Sequence, residues 1–343
     1  MATSFRHFGN LPDGSPVTAF TIGDADGIHV TLLELGAAVQ SLWVPADGGS
    51  TNVVLGHSDA EGYVRYADDY MGVVVGRYAN RIANATFTLD GQTHTLGVNN
   101  GSACHHGGPE GFSHRVWSVT RSSSHSITFE LTSPHLDQGF PGEMTVLATY
   151  TVEGAVVVLE MEATADRATV FGPTSHIYWN LAGEGSGGVD DHRLTVAAGQ
   201  FLPVDDDGIP DGALRSVADT PLDFRHPVRL GNVMRADHAQ LHNGVDHSLH
   251  VTGHGLRHAA TLTDPVSGRS VEVHSDLPAV QVYTSNFFDG RTVGTSGTRY
   301  RQGDGVALEP QFHPDTPNRP ELGDPVLRAG AVRKHRIEWR FQG

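Results

Sequence analysis

The chain is 343 residues long, rich in glycine (41) and proline (18), and carries 39 Asp and Glu against 23 Lys and Arg. A net charge of −16 argues against nucleic acid or an anionic membrane as partner, because both need a basic face, and favours a neutral small molecule. Lys334, the only lysine, lies in the charged run Arg333–Arg336, which argues against Schiff-base and P-loop chemistry; Cys104, the only cysteine, rules out an intrachain disulfide and a cysteine cluster for a metal.

Met1–Gly14 has no basic start followed by an apolar run, so no signal peptide is expected, and no stretch approaches the roughly 18 apolar residues of a membrane span. A cytoplasmic protein is the default expectation. Alternation of apolar and polar residues predicts strands at His29–Leu33, Thr86–Leu89 and Gln92–Leu96, the last two joined by an Asp90-Gly91 primed turn. Ser126–Leu131 alternates again. Met144–Val152 and Ala155–Ala163 read as a long hairpin turning at Glu153-Gly154. Further strands are expected at Leu194–Ala197, Ala259–Leu262, Ser270–His274, Val280–Thr284 and Ile337–Phe341. Helical signals are few: a short turn within Tyr63–Tyr70 and another within Asn232–Leu241. With no repeat and no linker, the pattern predicts an all-β chain: one domain over residues 1–343, a large antiparallel β-sandwich of two packed sheets with few short helices.

Several stretches carry groups suited to chemistry. In Gly76–Ile82, Asn80 and Arg81 offer amide and guanidinium donors for sugar hydroxyls, and Arg77 either joins them or pairs a carboxylate. In Cys104–Gly108 the two histidines, on an extended segment, would face opposite ways, so only one would enter a cleft. Gly107 and Gly108 would allow close approach of backbone or ligand. His176 stands in a polar, aromatic-flanked run, Pro173–Gly183, and Glu309 follows the apolar Val306–Leu308. Asp246 ends a turn-like run, and alternation puts Gln281 and Tyr283 on one strand face. His247, His250, His254 and His258 recur at helical spacing, but Gly253 and Gly255 interrupt them. No metal-binding motif is present, and no metal site is expected.

Taken in order, these segments resemble the aldose 1-epimerase family. The resemblance rests on Gly76–Ile82, Asp90-Gly91, His106–Gly108 with Gly111-Phe112 and Trp117, His176–Gly183, and Phe201–Asp205 with Ile209-Pro210. It continues through Gly244–His247, Gln281–Thr284, Asn286-Phe287, Asp289-Gly290 and Leu308–Gln311, so it covers nearly the whole chain. It implies a galactose mutarotase-like supersandwich that interconverts α and β anomers of free aldoses such as galactose and glucose without a cofactor. Position by position it implies His176 as general acid, Glu309 as general base, and Asn80, Arg81, His106, Tyr178, Asp246, Gln281 and Arg77 as substrate contacts. The carboxylate beside His176 would hold the imidazole protonated. The chain departs from the family's usual pattern at Ser175, Ile177, Trp179 and Pro310, around both catalytic positions, where sugar preference would be affected. A non-catalytic carbohydrate-binding module would not need both His176 and Glu309, and a glycoside hydrolase would want two flanking carboxylates. An epimerase of sugar phosphates would need an arginine-built anion site.

Overall fold

A computed structural model describes residues 4–241 and 243–342, so Met1–Thr3 of the stretch read for a leader lie outside it. Three antiparallel sheets dominate the fold. The first contains five strands near the N-terminus, in the order Ser4–Asn10, Pro16–Gly23, His29–Leu33, Val39–Ala46 and Gly49–Asn52. Of these the alternation pattern identified only His29–Leu33. The second has nine strands, with Met144–Glu153, Val156–Ala165 and Val332–Gln342 at its centre. The third has six, in the order Tyr178–Trp179, Val306–Gln311, Ala279–Tyr283, Asp246–Val251, Ala198–Phe201 and Arg215–Ser216. One apolar cluster draws on all three sheets, with Val30, Leu42, Val146, Leu159, Val282, Leu308 and Trp339 among its members.

The hairpin around Asp90-Gly91 forms as expected, with φ of 51° and 79° at the two turn residues. In the long hairpin Glu153 pairs with Val156, so the turn is Gly154-Ala155, one residue later than the sequence suggested. Gly154 takes the positive φ that a tight turn demands, and Glu153 is left free to pair. The two short helices are Ala60–Arg65 and Leu230–Met234, each starting a few residues before the expected segment. Asp59 caps the first by accepting from Gly62 N–H at 2.9 Å. No described helix is long and apolar enough to cross a membrane.

The six-stranded sheet positions the site, because its two faces differ in kind. Along Val306–Gln311 and Ala279–Tyr283 every residue is buried. Val306, Leu308, Val280 and Val282 enter the apolar cluster, while the intervening Ala307, Glu309, Gln311, Gln281 and Tyr283 face the other way.

Candidate active site

Register brings the polar residues of that second face together. Gln281 pairs with Glu309 on one side and Ser248 on the other, while Tyr283 lies between Ala307 and Asp246. Tyr178 pairs with Ala307 at the sheet edge. Over this face lies a cavity of about 390 Å³ lined by Asn80, Arg81, His106, His176, Tyr178, Asp246 and Glu309 among others. Seven of the nine residues singled out from the sequence therefore meet in one place.

His176 Nε2 and Glu309 Oε1 are 3.6 Å apart, and both side chains are at least nine-tenths buried. The second carboxylate oxygen of Glu309 and Nδ1 of His176 have no hydrogen-bond partner among the described residues. Burial drives the two groups in opposite directions. It lowers the His176 imidazole to about pKa 4 and, helped by the nearby Asp246 charge, holds the Glu309 carboxyl well above the usual range. Against the expectation that the carboxylate would keep His176 protonated, the burial of both groups works against their charged forms. One proton on the pair can sit on either group. Neutral imidazole with carboxylic acid, and imidazolium with carboxylate, differ only in which side of a 3.6 Å gap the proton occupies.

The remaining polar groups are fixed around this pair. Asn80 N–H donates to His106 Nδ1 at 3.1 Å, so the neutral His106 ring carries its proton on Nε2 and is a donor there. Asn80 Oδ1 accepts from Arg81 N–H, and Arg81 Nε donates to Asn100. Gln281 Nε2 donates to Asp246 Oδ1 at 2.6 Å from beneath, so Gln281 holds Asp246 rather than lining the cavity. The Tyr178 ring packs against His176, with centroids 4.9 Å apart, and its hydroxyl donates to the Asp69 carbonyl.

Arg77 is not part of the cavity. Its guanidinium donates to the carbonyls of Ser133, Pro134, Pro141 and Gly142 and to the hydroxyls of Ser133 and Thr169. With its donors spent on loop backbone it cannot reach a sugar, so it is a structural residue. The expectation for the paired histidines also changes. His106 has φ of +50°, which turns the chain out of extension, and both His105 and His106 line the cavity with ring centroids 3.8 Å apart. The glycine that follows serves backbone rather than ligand. A Cβ at Gly107 would sit 1.8 Å from the Gly76 carbonyl, so no other residue fits there.

Tyr70, Asn99, Phe287 and Arg291 also line the cavity; of these the sequence marked only Phe287, as part of the family resemblance and not as a site residue. Tyr70 and Asn99 sit in irregular segments without periodicity, and Tyr70 is itself in the left-handed region at φ of 49°. Tyr283 carried a signal through its alternation with Gln281.

His106, His176 and Glu309 place ligand-type atoms within 4.8 Å of one another, which calls for a test as a metal centre. A metal-binding histidine donates its other ring N–H to an acceptor. His106 does the reverse: its Nδ1 receives a backbone N–H, leaving a protonated Nε2 toward the cavity. The set fits a ligand that accepts hydrogen bonds, not a cation. Among the described residues the other histidines form no such group: His250 meets His313, Nδ1 to Nε2 at 3.1 Å, and His258 packs on His274.

Comparison with known proteins gives a consistent result. The family model described as aldose 1-epimerase matches residues 18–340. The galactose mutarotase of Bos taurus is 39% identical over 336 residues, covering 97% of each chain. The aldose 1-epimerase of Escherichia coli K12 is 37% identical over 337 residues, 96% of each chain. Among solved structures, the aldose epimerase homologue from C. elegans superposes with a TM-score of 0.88 at 33% identity, covering 94% of this chain and 98% of its own. The galactose 1-epimerase of Lactobacillus acidophilus gives 0.86 at 27%, covering 99% and 98%.

Proposed function

The chain belongs to the aldose 1-epimerase family, and from that premise we propose that it interconverts the α and β anomers of free aldoses such as galactose and glucose, with His176 and Glu309 moving the protons. The observation that carries the assignment of roles is the buried His176–Glu309 pair, 3.6 Å apart on the wall of the cavity. Mutarotation removes a proton from the anomeric hydroxyl and delivers one to the ring oxygen, and those two oxygens share one carbon. The proton of the pair passes first to His176, and then Glu309, as carboxylate, accepts the first proton while His176, as imidazolium, supplies the second. The ring opens to the aldehyde, the C1–C2 bond turns, and closure on the other face returns both protons. Each group is acid in one direction and base in the other, so the pair ends as it began, and the reaction as written moves only protons.

Around the reacting carbon, His106 Nε2–H is positioned to donate to a sugar oxygen and Asp246 to accept from a hydroxyl, with Gln281 holding Asp246 in place. Arg81 and the Asn80 amide supply further donors. The charge of the cavity favours a neutral ligand. Asp68, Asp69 and Asp246 line it against the guanidinium of Arg81, and Arg291 on the rim is 83% exposed and already paired with Asp289 at 2.5 Å. These features disfavour a phosphorylated sugar.

The test is polarimetry on freshly dissolved α-galactose, α-glucose and a hexose 6-phosphate. The expected result is acceleration of both free sugars above the spontaneous rate, slower conversion of the phosphate, and loss of acceleration in His176→Asn with the fold intact by circular dichroism. Near-normal rates in His176→Asn would sink the assignment of that residue.

A further inference from the structure

The catalytic pair lies where two strands part. Tyr178 pairs with Ala307 and Trp179 with Val306, and continuing that antiparallel register backward sets His176 opposite Glu309. The ladder does not continue. His176 N–H goes instead to the Val73 carbonyl, its own carbonyl accepts from Gly72 N–H, and Thr174–Ser175 pairs with Val74–Val75. A fork thus opens between the two chains, with His176 on one arm and Glu309 on the other. On one side of the pair the fork is closed by backbone ladder. On the other side a single side-chain bond crosses it: Thr174 Oγ1 donates to the Pro310 carbonyl at 2.5 Å, with Thr174 fully buried.

Pro310 suits this position. In an antiparallel strand the N–H and C=O of one residue point the same way. Because the Pro310 carbonyl points into the fork, an N–H at residue 310 would point there too, where no partner strand runs to accept it. Proline removes that donor, so nothing polar is left stranded in a buried gap. The carbonyl that remains is satisfied by Thr174.

We propose that Thr174 is a positioning residue for the reaction, and that its hydroxyl, clamped to Pro310, sets the separation of His176 and Glu309. Thr174 lies two residues before the proposed acid, and its partner directly follows the proposed base. Thr174 does not line the cavity, so it acts through the other two. The inference rests on the acid/base roles given to His176 and Glu309.

The experiment compares Thr174→Val, which keeps the shape and removes the hydroxyl, with Thr174→Ser, which restores a hydroxyl at the same place. Polarimetry on galactose should show kcat falling about tenfold in Thr174→Val with KM within twofold of the parent, since the reacting geometry loosens while the sugar contacts remain. Thr174→Ser should recover kcat to within about twofold. If Thr174→Val does not fold, Thr174→Ala serves as a second probe of the missing hydroxyl, and its kcat should fall about tenfold with KM within twofold of the parent, an unchanged kcat overturning the clamp. An unchanged kcat in a folded Thr174→Val, or equal losses in Val and Ser variants, would overturn the clamp while leaving the function intact. A parent protein that accelerates no aldose would instead remove the functional reading beneath it.

Discussion

Two faces of one strand make the most instructive comparison in this molecule. Val306–Gln311 is buried along its whole length, and accessibility alone does not tell its residues apart. On one face Val306 and Leu308 meet other apolar side chains and need nothing more. On the opposite face Glu309 and Gln311 are equally buried but carry polar atoms with no partner among the described residues. Burying a polar group without a hydrogen bond costs free energy that a merely structural residue has no reason to incur. Side by side, one face offers apolar contact, and the other offers buried polar atoms, one of them on the proposed base.

Substitution of neighbouring residues should separate the two. Glu309→Gln keeps shape and removes the base, so kcat should fall by roughly 10²–10⁴-fold, the usual contribution of a positioned acid or base. Its melting temperature should stay at or above that of the parent, because burial disfavours the Glu309 charge and the amide carries none. A large drop in thermal stability would place Glu309 among the structural residues. Next door, Leu308→Ala should do the opposite. A leucine 1% exposed, cut to alanine, should cost about 2–5 kcal/mol in denaturant unfolding, while kcat on the folded fraction stays within a few-fold. Loss of kcat at full stability would erase the distinction between the faces.

A smaller effect is expected at the edge of the polar face. Asp246→Ala removes a hydroxyl acceptor and strands Gln281 Nε2, so KM for galactose should rise about tenfold, equivalent to roughly 1–2 kcal/mol. Unchanged KM and kcat would take Asp246 out of the site. Arg77→Met, by contrast, should leave KM alone and lower stability, because its donors hold loop carbonyls rather than ligand.

The most modest prediction concerns pH. His313 lies on the polar face but outside the cavity, bonded to Ser248 and His250, and burial lowers its imidazole to about pKa 3. The unfolded chain takes up this proton near the ordinary histidine value of about 6.5, whereas the folded chain refuses it until about 3. The contribution of His313 is therefore intact above 6.5 and lost as pH falls toward 3. Urea unfolding at pH 7, 5 and 4 should show a shallower acid-side loss in His313→Gln than in the parent; equal slopes would refute the assignment. In activity, the pair takes up its second proton only near the lowered His176 value, so kcat/KM should hold from pH 7 to 5 and fall with a midpoint near 4.

Much of the fold was legible because alternation and turn chemistry are local. The Asp90-Gly91 hairpin and the strand Val280–Thr284 followed from their own residues. The N-terminal strands were less legible: Ser4–Asn10 is largely exposed and does not show the half-buried alternation that marks a strand. The family resemblance brought most of the site into view, and the pairing of Gln281 with Tyr283 was visible from period two alone. Arg77 was misread because an arginine beside two sugar-contact candidates looks the same in sequence whether its fork meets a ligand or four loop carbonyls.

By itself, then, the sequence determined many of the strands and turns, which depend on residue type and short-range period, and the family, whose resemblance named His176 and Glu309 as the proposed acid and base. Only the tertiary structure decided which buried polar groups face the cavity, and that His105 enters beside His106. It also decided that burial holds His176 and Glu309 toward neutrality, and that a fork closed by Thr174 keeps them apart. The reason is physical: each of these depends on what another part of the chain brings alongside, and desolvation and register exist only once distant strands have met.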